Sequence, residues 1–187
     1  MAVGSPSIID WISEHSEVIR NIANNLIPVQ RLVTGAAYLI GLAFAFKAIY
    51  SLKIYGESRA MMSSSASIKE PLIYLIVAAI FIYFPTGLDI MLVTAFGREG
   101  ILQFQDINSP NSALSLFSGP TGEALALIIQ VVGVIAFVRG WMLIARSASQ
   151  GQQPGGTGKG LMHVFGGILA MNIVATLEII NNTLYGS

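Results

Sequence analysis

Four stretches of this chain are each long and apolar enough to cross a lipid bilayer. A membrane helix needs about 20 mostly apolar residues to span a hydrocarbon core of roughly 30 Å. Stretches of that length occupy Val29–Leu52, Pro71–Phe96, Glu123–Ile144 and Leu161–Leu184. Lipid cannot hydrogen-bond the edge of an open sheet, so helices are expected. The sequence therefore predicts an all-α, polytopic membrane protein with about four transmembrane helices.

Composition supports lipid as the solvent. Charged residues make up 11% of the chain and mean hydropathy is +0.67, whereas a soluble domain carries about a quarter charged residues. Basic and acidic residues balance at 10 each, so we expect no direct, sequence-specific binding of nucleic acid. Cysteine is absent, which excludes disulfides, thiolate metal sites and cysteine nucleophiles.

Residues 1–28 are predicted to form an amphipathic helix before the first span. Ser5 and Pro6 suit a helix start, and Pro28 is expected to break the helix before the span. Apolar residues recur at spacings of three and four: Ile8, Trp11, Ile12, Ile19, Ile22 and Leu26. This helix could lie on the membrane surface. Its acidic polar face favours docking on a partner protein instead, through Trp11, Ile12 and Ile19.

The spans are predicted to form two tandem helical hairpins, at 29–97 and 123–187, joined by a loop at 98–122. The halves resemble each other: the segment Gly41–Lys47 matches Gly133–Arg139, and Asp89 matches Glu178. Because each unit contains two spans, duplication gives a parallel repeat about an axis along the membrane normal.

Basic residues predict the orientation, since cytoplasmic loops are rich in Lys and Arg. The hairpin loops and adjoining helix ends contain Lys47, Lys53, Arg59, Lys69, Arg139, Arg146 and Lys159. The opposite side has Arg20, Arg31 and Arg98. We therefore expect a multi-pass protein of the bacterial inner membrane, with a periplasmic 98–122 loop and periplasmic N- and C-termini.

Charges within the spans have two interpretations each. Lys47 and Arg139 are expected to snorkel to the headgroups, the alternative being a basic lining of a pore. Asp89 and Glu178 are expected near the periplasmic ends, at the interface or paired with Arg31. The alternative for these two acids is a proton or ion relay.

Small residues predict close helix packing in lipid. They form one stripe at Ala37, Gly41 and Ala45, and another at Gly166 and Ala170, with Gly167 beside it. In the second span, Pro85-Thr86-Gly87 predicts a kink or a local break. A broken helix could instead mark a transporter binding site. The fourth span is interrupted by polar residues at Asn172, Glu178, Asn181 and Asn182.

The sequence contains no recognisable catalytic, metal-binding or cofactor-binding motif. The stretch Gly155–Gly160 invites comparison with a phosphate-binding loop, but Gln153 and Gly160 stand where that motif needs Gly and Ser or Thr. His15 and His163 are isolated, and no Ser, His and Asp grouping appears. We therefore expect no cofactor, no metal and no enzymatic activity.

Several blocks carry a family resemblance. They are Pro28–Tyr38, Ala48–Met62 with its Lys-Ile-Tyr-Gly-Glu core, Lys69–Tyr74 and Phe84-Pro85-Thr86. This pattern resembles the IcmC/DotE inner-membrane proteins of the Dot/Icm type IVB secretion system and their relatives in IncI-type plasmid conjugation. The resemblance implies a small subunit of a machine that moves protein or DNA–protein substrates across the cell envelope. It also implies other inner-membrane subunits as partners, in a homo- or hetero-oligomer.

The expected function is therefore that of a structural or channel-forming subunit in contact with membrane lipid. The alternative is a small secondary transporter or ion channel built from a parallel repeat, with charges or broken helices at the midplane. An intramembrane enzyme would need acids, His or Ser at matched depth, which the sequence does not supply.

Overall fold

The computed structural model describes residues 14–61, 67–97, 117, 119–149 and 155–185, and every regular element in them is an α-helix. The helices are α1 (Ser16–Ala60), α2 (Lys69–Ile82), α3 (Phe84–Phe96), α4 (Gly119–Ala148), α5 (Gly156–Met171) and α6 (Ile173–Tyr185). The all-α prediction is confirmed for this part of the chain.

Two helices, α1 and α4, are by themselves long and apolar enough to cross a membrane. The pairs α2 with α3 and α5 with α6 also pass on length and hydropathy, but each pair is bent, by 92° and 90°. The described residues thus contain two to four candidate spans, all compatible with insertion into a membrane.

Helix α1 is 45 residues long and runs through Pro28. The predicted helix break at Pro28 is therefore wrong. Proline removes one backbone hydrogen bond and crowds the preceding turn, but packing on both sides of it holds α1 in one helix. Ala23 and Ala37, both buried, belong to the contacts before and after the proline. The described part of the predicted amphipathic segment, from Ser16 onward, is thereby continuous with the first span, and residues 1–13 of that segment lie outside the described residues.

The break between α2 and α3 lies at Tyr83, two residues before Pro85. The predicted local break is confirmed, and its position has a simple reason. Proline fits the first turn of a helix, where its missing N–H would have no intrahelical acceptor. Pro85 accordingly lies in the first turn of α3 rather than at the bend itself.

The break between α5 and α6 lies at Asn172 and involves no proline. The Thr176 hydroxyl, in α6, lies 2.9 Å from the carbonyl oxygens of Leu169, in α5 before the bend, and of Asn172, at the bend. The Asn172 carbonyl also accepts the backbone N–H of Thr176 at 2.9 Å, so the hydroxyl adds a direct link from α6 back to α5 at Leu169. The predicted fourth span is consequently two helices at right angles.

The core lies where α1, α2, α4 and α5 pack together. Aromatic rings run through it with centroids 5.8 to 6.3 Å apart, a normal distance for ring pairs. In order of contact they are Tyr74, Phe44, Phe81, Phe84, Phe137 and Trp141. This row of rings connects the first half of the chain to α4.

Candidate functional site

Helices α4 and α5 pack antiparallel with their backbones in direct contact. A Cβ added to Gly133 would lie 2.7 Å from the Met171 nitrogen, and one added to Gly140 would lie 2.7 Å from the Val164 nitrogen. From the other side, a Cβ on Gly167 would lie 2.8 Å from the Gly133 oxygen. Only glycine permits this approach, and close backbone contact is how helices gain packing energy in lipid.

Helix α1 approaches α2 in the same way at Gly41. A Cβ there would lie 2.9 Å from the Ile82 nitrogen and 2.9 Å from the Phe81 Cβ. Of the other residues predicted in this stripe, Ala37 is fully buried and Ala45 is half-buried. Ala37 and Gly41 therefore both lie in contacts between helices.

The second predicted stripe needs a correction at Gly166. This residue is exposed, and an added Cβ would have no atom within 4 Å. Gly167 makes the approach in its place, with the Ala170 side chain 3.0 Å from the Cβ position of Gly133. Successive residues of a helix point about 100° apart, so neighbouring glycines cannot both face α4.

Gly41 and Gly133, which the sequence matches as repeat equivalents, occupy corresponding places. Gly41 lies against Ile82, the last residue of α2, and Gly133 lies against Met171, the last residue of α5. Each glycine thus contacts the returning helix just before its bend. Asp89 and Glu178 each lie in the short helix that follows the bend, and both are half-buried.

The predicted pairing of Arg31 with Asp89 or Glu178 is not formed. Arg31 is exposed and makes no ion pair with any residue that the structure describes. Asp89 and Glu178 are in α3 and α6, which turn away by about a right angle from the helices before them. The predicted pairing assumed that each of those segments continues as a straight span.

The predicted basic residues are spread along the helices. Lys53 pairs with Glu57 at 3.7 Å, and the Arg59 guanidinium lies 6.0 Å from the Tyr55 ring centre. Lys69 and Lys159 are exposed near the starts of α2 and α5. Exposed salt bridges such as the first contribute about 0–1 kcal/mol, so little free energy would be lost if Lys53 exchanged Glu57 for a contact outside the chain.

Lys47 has a more specific environment. Its Nζ atom lies 4.5 Å from the centre of the Tyr74 ring, which is a cation–π contact. Tyr74 is fully buried, and its hydroxyl has no hydrogen-bond partner among the described residues. The lysine residue is otherwise exposed, and its snorkelling to the headgroups stays a prediction.

Arg139 and Arg146 line a groove of 490 Å³ between α1 and α4. The remaining lining is apolar: Leu32, Val33, Ala36, Ala37 and Ile40 from α1, and Ile135, Val138, Met142 and Leu143 from α4. Neither guanidinium forms an ion pair or a hydrogen bond with the described part of the chain. The groove therefore offers a long apolar wall and two unneutralised cations.

Ile19, which was predicted to dock on a partner protein, instead packs against another helix of the same chain. It is 8% exposed and belongs to a cluster with Ala23 and Ala124 that joins α1 to α4. Its apolar face is therefore covered by α4. The other two predicted docking residues, Trp11 and Ile12, lie outside the described residues.

Gly133, Gly140 and Gly160 are packing residues that were not predicted from the sequence. Gly140 approaches Val164, and a Cβ on Gly160 would lie 2.8 Å from the Gly140 oxygen. The signal was present: Gly133 and Gly140, like Gly160 and Gly167, are seven residues apart. A seven-residue repeat keeps residues on one seam of a helix.

Groups of three or more His, Cys, Asp or Glu residues that could hold a metal ion do not occur in the described ranges. The His163 Nδ1 atom lies 2.8 Å from the Lys159 carbonyl oxygen, a contact within one turn of α5.

Comparison of the chain with protein-family models gave no match, and comparisons with curated proteins and solved structures gave no significant match.

Proposed function

We propose that this chain is a structural or channel-forming subunit of the inner membrane in a type IVB secretion or conjugation machine. It would support translocation of protein or DNA–protein substrates. The observation that carries the proposal is the backbone-to-backbone packing of α4 on α5, with Gly133, Gly140, Gly160 and Gly167 at the contact. Small residues at helix contacts let helices pack closely in lipid, which suits a subunit that assembles with further helices.

The blocks around Ala48–Met62 resemble IcmC/DotE proteins. This resemblance is the reason for proposing a type IVB machine rather than another membrane assembly. In the proposed arrangement the chain inserts as two tandem hairpins, α1 with α2 and α4 with α5. Antiparallel contacts within each pair support it: Gly41 meets Ile82, and Gly133 meets Met171. Helices α3 and α6 would lie along the periplasmic surface, and the hairpin loops would face the cytoplasm.

Deletion and complementation test the role. Deleting the chain should abolish substrate translocation while leaving membrane insertion of the other subunits intact. The chain has no cysteine, so single cysteines at exposed positions, such as Phe46 and Met162, give clean crosslinks. Crosslinks to other inner-membrane subunits would support the proposal, whereas full translocation without the chain would refute it.

A small transporter or ion channel is the second candidate, because both returning helices are broken and broken helices form substrate sites in transporters. The first break has one polar side chain, that of the exposed Tyr83, between Ile82 and Phe84. The second has the polar side chains of Asn172 and Thr176. Proteoliposomes with the purified chain distinguish the two roles. Solute or ion flux above that of empty vesicles would favour the transporter.

A further inference from the structure

The groove between α1 and α4 joins an apolar wall to a pair of arginines. Its 490 Å³ volume lies in the range of ligand sites, roughly 300–1,000 Å³. On α4 the lining runs from Ile135, at the apolar end, to Arg146 near the end of the helix. We propose that this groove binds an anionic phospholipid, with an acyl chain along the apolar wall and the phosphate at Arg139 and Arg146.

The two arginines are placed to hold a phosphate together. They are seven residues apart, which puts them on the same face of α4 about 10 Å apart along its axis. Guanidinium groups bind phosphate through paired N–H donors. Since neither guanidinium has an anionic partner in the described chain, the headgroup supplies the missing charge.

Charge complementarity selects an anionic lipid over other occupants. The groove lining contains two cations and no acid, so a zwitterionic headgroup would bring an ammonium group toward like charges. A helix from a second copy could fill the apolar part, but it would leave the arginines unneutralised unless it carried acids at matching positions. Basic pockets between membrane helices commonly hold anionic lipid headgroups. Lipid binding at this groove does not depend on the proposed role in secretion.

Native mass spectrometry of the delipidated full-length chain in detergent tests the proposal. The chain would be titrated separately with phosphatidylglycerol, cardiolipin, phosphatidylcholine and inorganic phosphate. We expect the anionic lipids to bind at least ten-fold more tightly than phosphatidylcholine, and inorganic phosphate to show no retained binding because it lacks the acyl chain. Equal binding of phosphatidylcholine would overturn the proposal.

Two variants locate the site, and one provides a matched control. Arg139→Gln with Arg146→Gln should weaken anionic-lipid binding at least ten-fold. Ala36→Phe, which fills the apolar part and keeps both arginines, should weaken it as well. The control Arg59→Gln with Lys159→Gln removes two exposed cations outside the groove lining and should change affinity less than two-fold.

Equal losses in the control and the double arginine variant would mean nonspecific charge attraction and would overturn the proposal. A crosslink from Ala36→Cys to a second copy that persists in excess anionic lipid would assign the groove to a protein helix and also overturn it. Circular dichroism confirms that each variant is folded. If the double arginine variant does not fold, the test of the site depends on Ala36→Phe alone. Unchanged lipid affinity in that variant would refute the site.

Discussion

At the scale of single residues, the helices are positioned by contacts at glycines, which have no side chain to keep the backbones apart. Gly140 and Gly167 approach main-chain atoms of the opposite helix closely, whereas the exposed Gly166 approaches none. Composition alone does not separate these glycines, because all three are in apolar helices. The face that each presents to its neighbour distinguishes them.

Replacing Gly140 with alanine should destabilise the fold, since the new Cβ would lie 2.7 Å from the Val164 nitrogen. Overpacking of this kind costs about 1–3 kcal/mol. Gly166→Ala is the matched control, because it gains the same helix propensity without a clash. Reversible unfolding in mixed micelles measures both, and equal stability of the two variants would contradict the contact.

Removing the buried hydroxyl of Tyr74 should have the opposite effect on the free energy of unfolding. It has no hydrogen-bond partner in the described part of the chain, and a buried unsatisfied polar group costs about 1–3 kcal/mol. Tyr74→Phe removes the hydroxyl and keeps the ring below Lys47, so stability should be unchanged or higher. The same unfolding assay tests it, and a loss above about 1 kcal/mol would show that the hydroxyl has an unseen partner.

At the scale of elements, the two right-angle bends have different sequences and the same geometry. The first has Pro85 in the turn after it, and the second has Asn172 and no proline. Buried Phe84 and Leu88 follow the first bend, as buried Val174 and Ala175 follow the second. Packing of the short helices, rather than proline, therefore holds the bends.

Replacing Pro85 with alanine should accordingly leave the bend in place. Spin labels at the exposed positions Leu72 and Thr94 report its geometry by their separation. A straight helix between them would span about 33 Å, and the bent arrangement is shorter. We expect the same distance distribution with and without Pro85, and a shift toward the straight-helix value would assign the bend to proline.

At the scale of the whole molecule, α1 and α4 pack in parallel. Ile19 and Ala23 contact the start of α4 at Ala124, and the later turns of α1 line the groove with the later turns of α4. This direction agrees with a parallel repeat.

The proposed topology predicts that the loops containing Ser65 and Ser109 lie on opposite sides of the membrane. The cysteine-free chain allows Ser65→Cys and Ser109→Cys to be labelled separately in intact cells and in lysed cells. Only Ser109→Cys should react with an impermeant maleimide in intact cells. Reaction of both at equal rates would contradict the two-hairpin arrangement.

The sequence by itself determined the helical class, because runs of about 20 apolar residues leave no other element for lipid. It also located the break near Pro85, since proline marks a residue where a helix can start even though packing holds the bend. The close approach at Gly41 was likewise local, since it depends on the absence of a Cβ. Tertiary structure decided what depends on partners far along the chain. Helix α1 passes through Pro28 because contacts on both sides of it hold the helix. Gly167 rather than Gly166 meets α4, and Arg139 and Arg146 share a groove with α1. These outcomes depend on helix rotation and crossing, which are set by the packing of all the helices together.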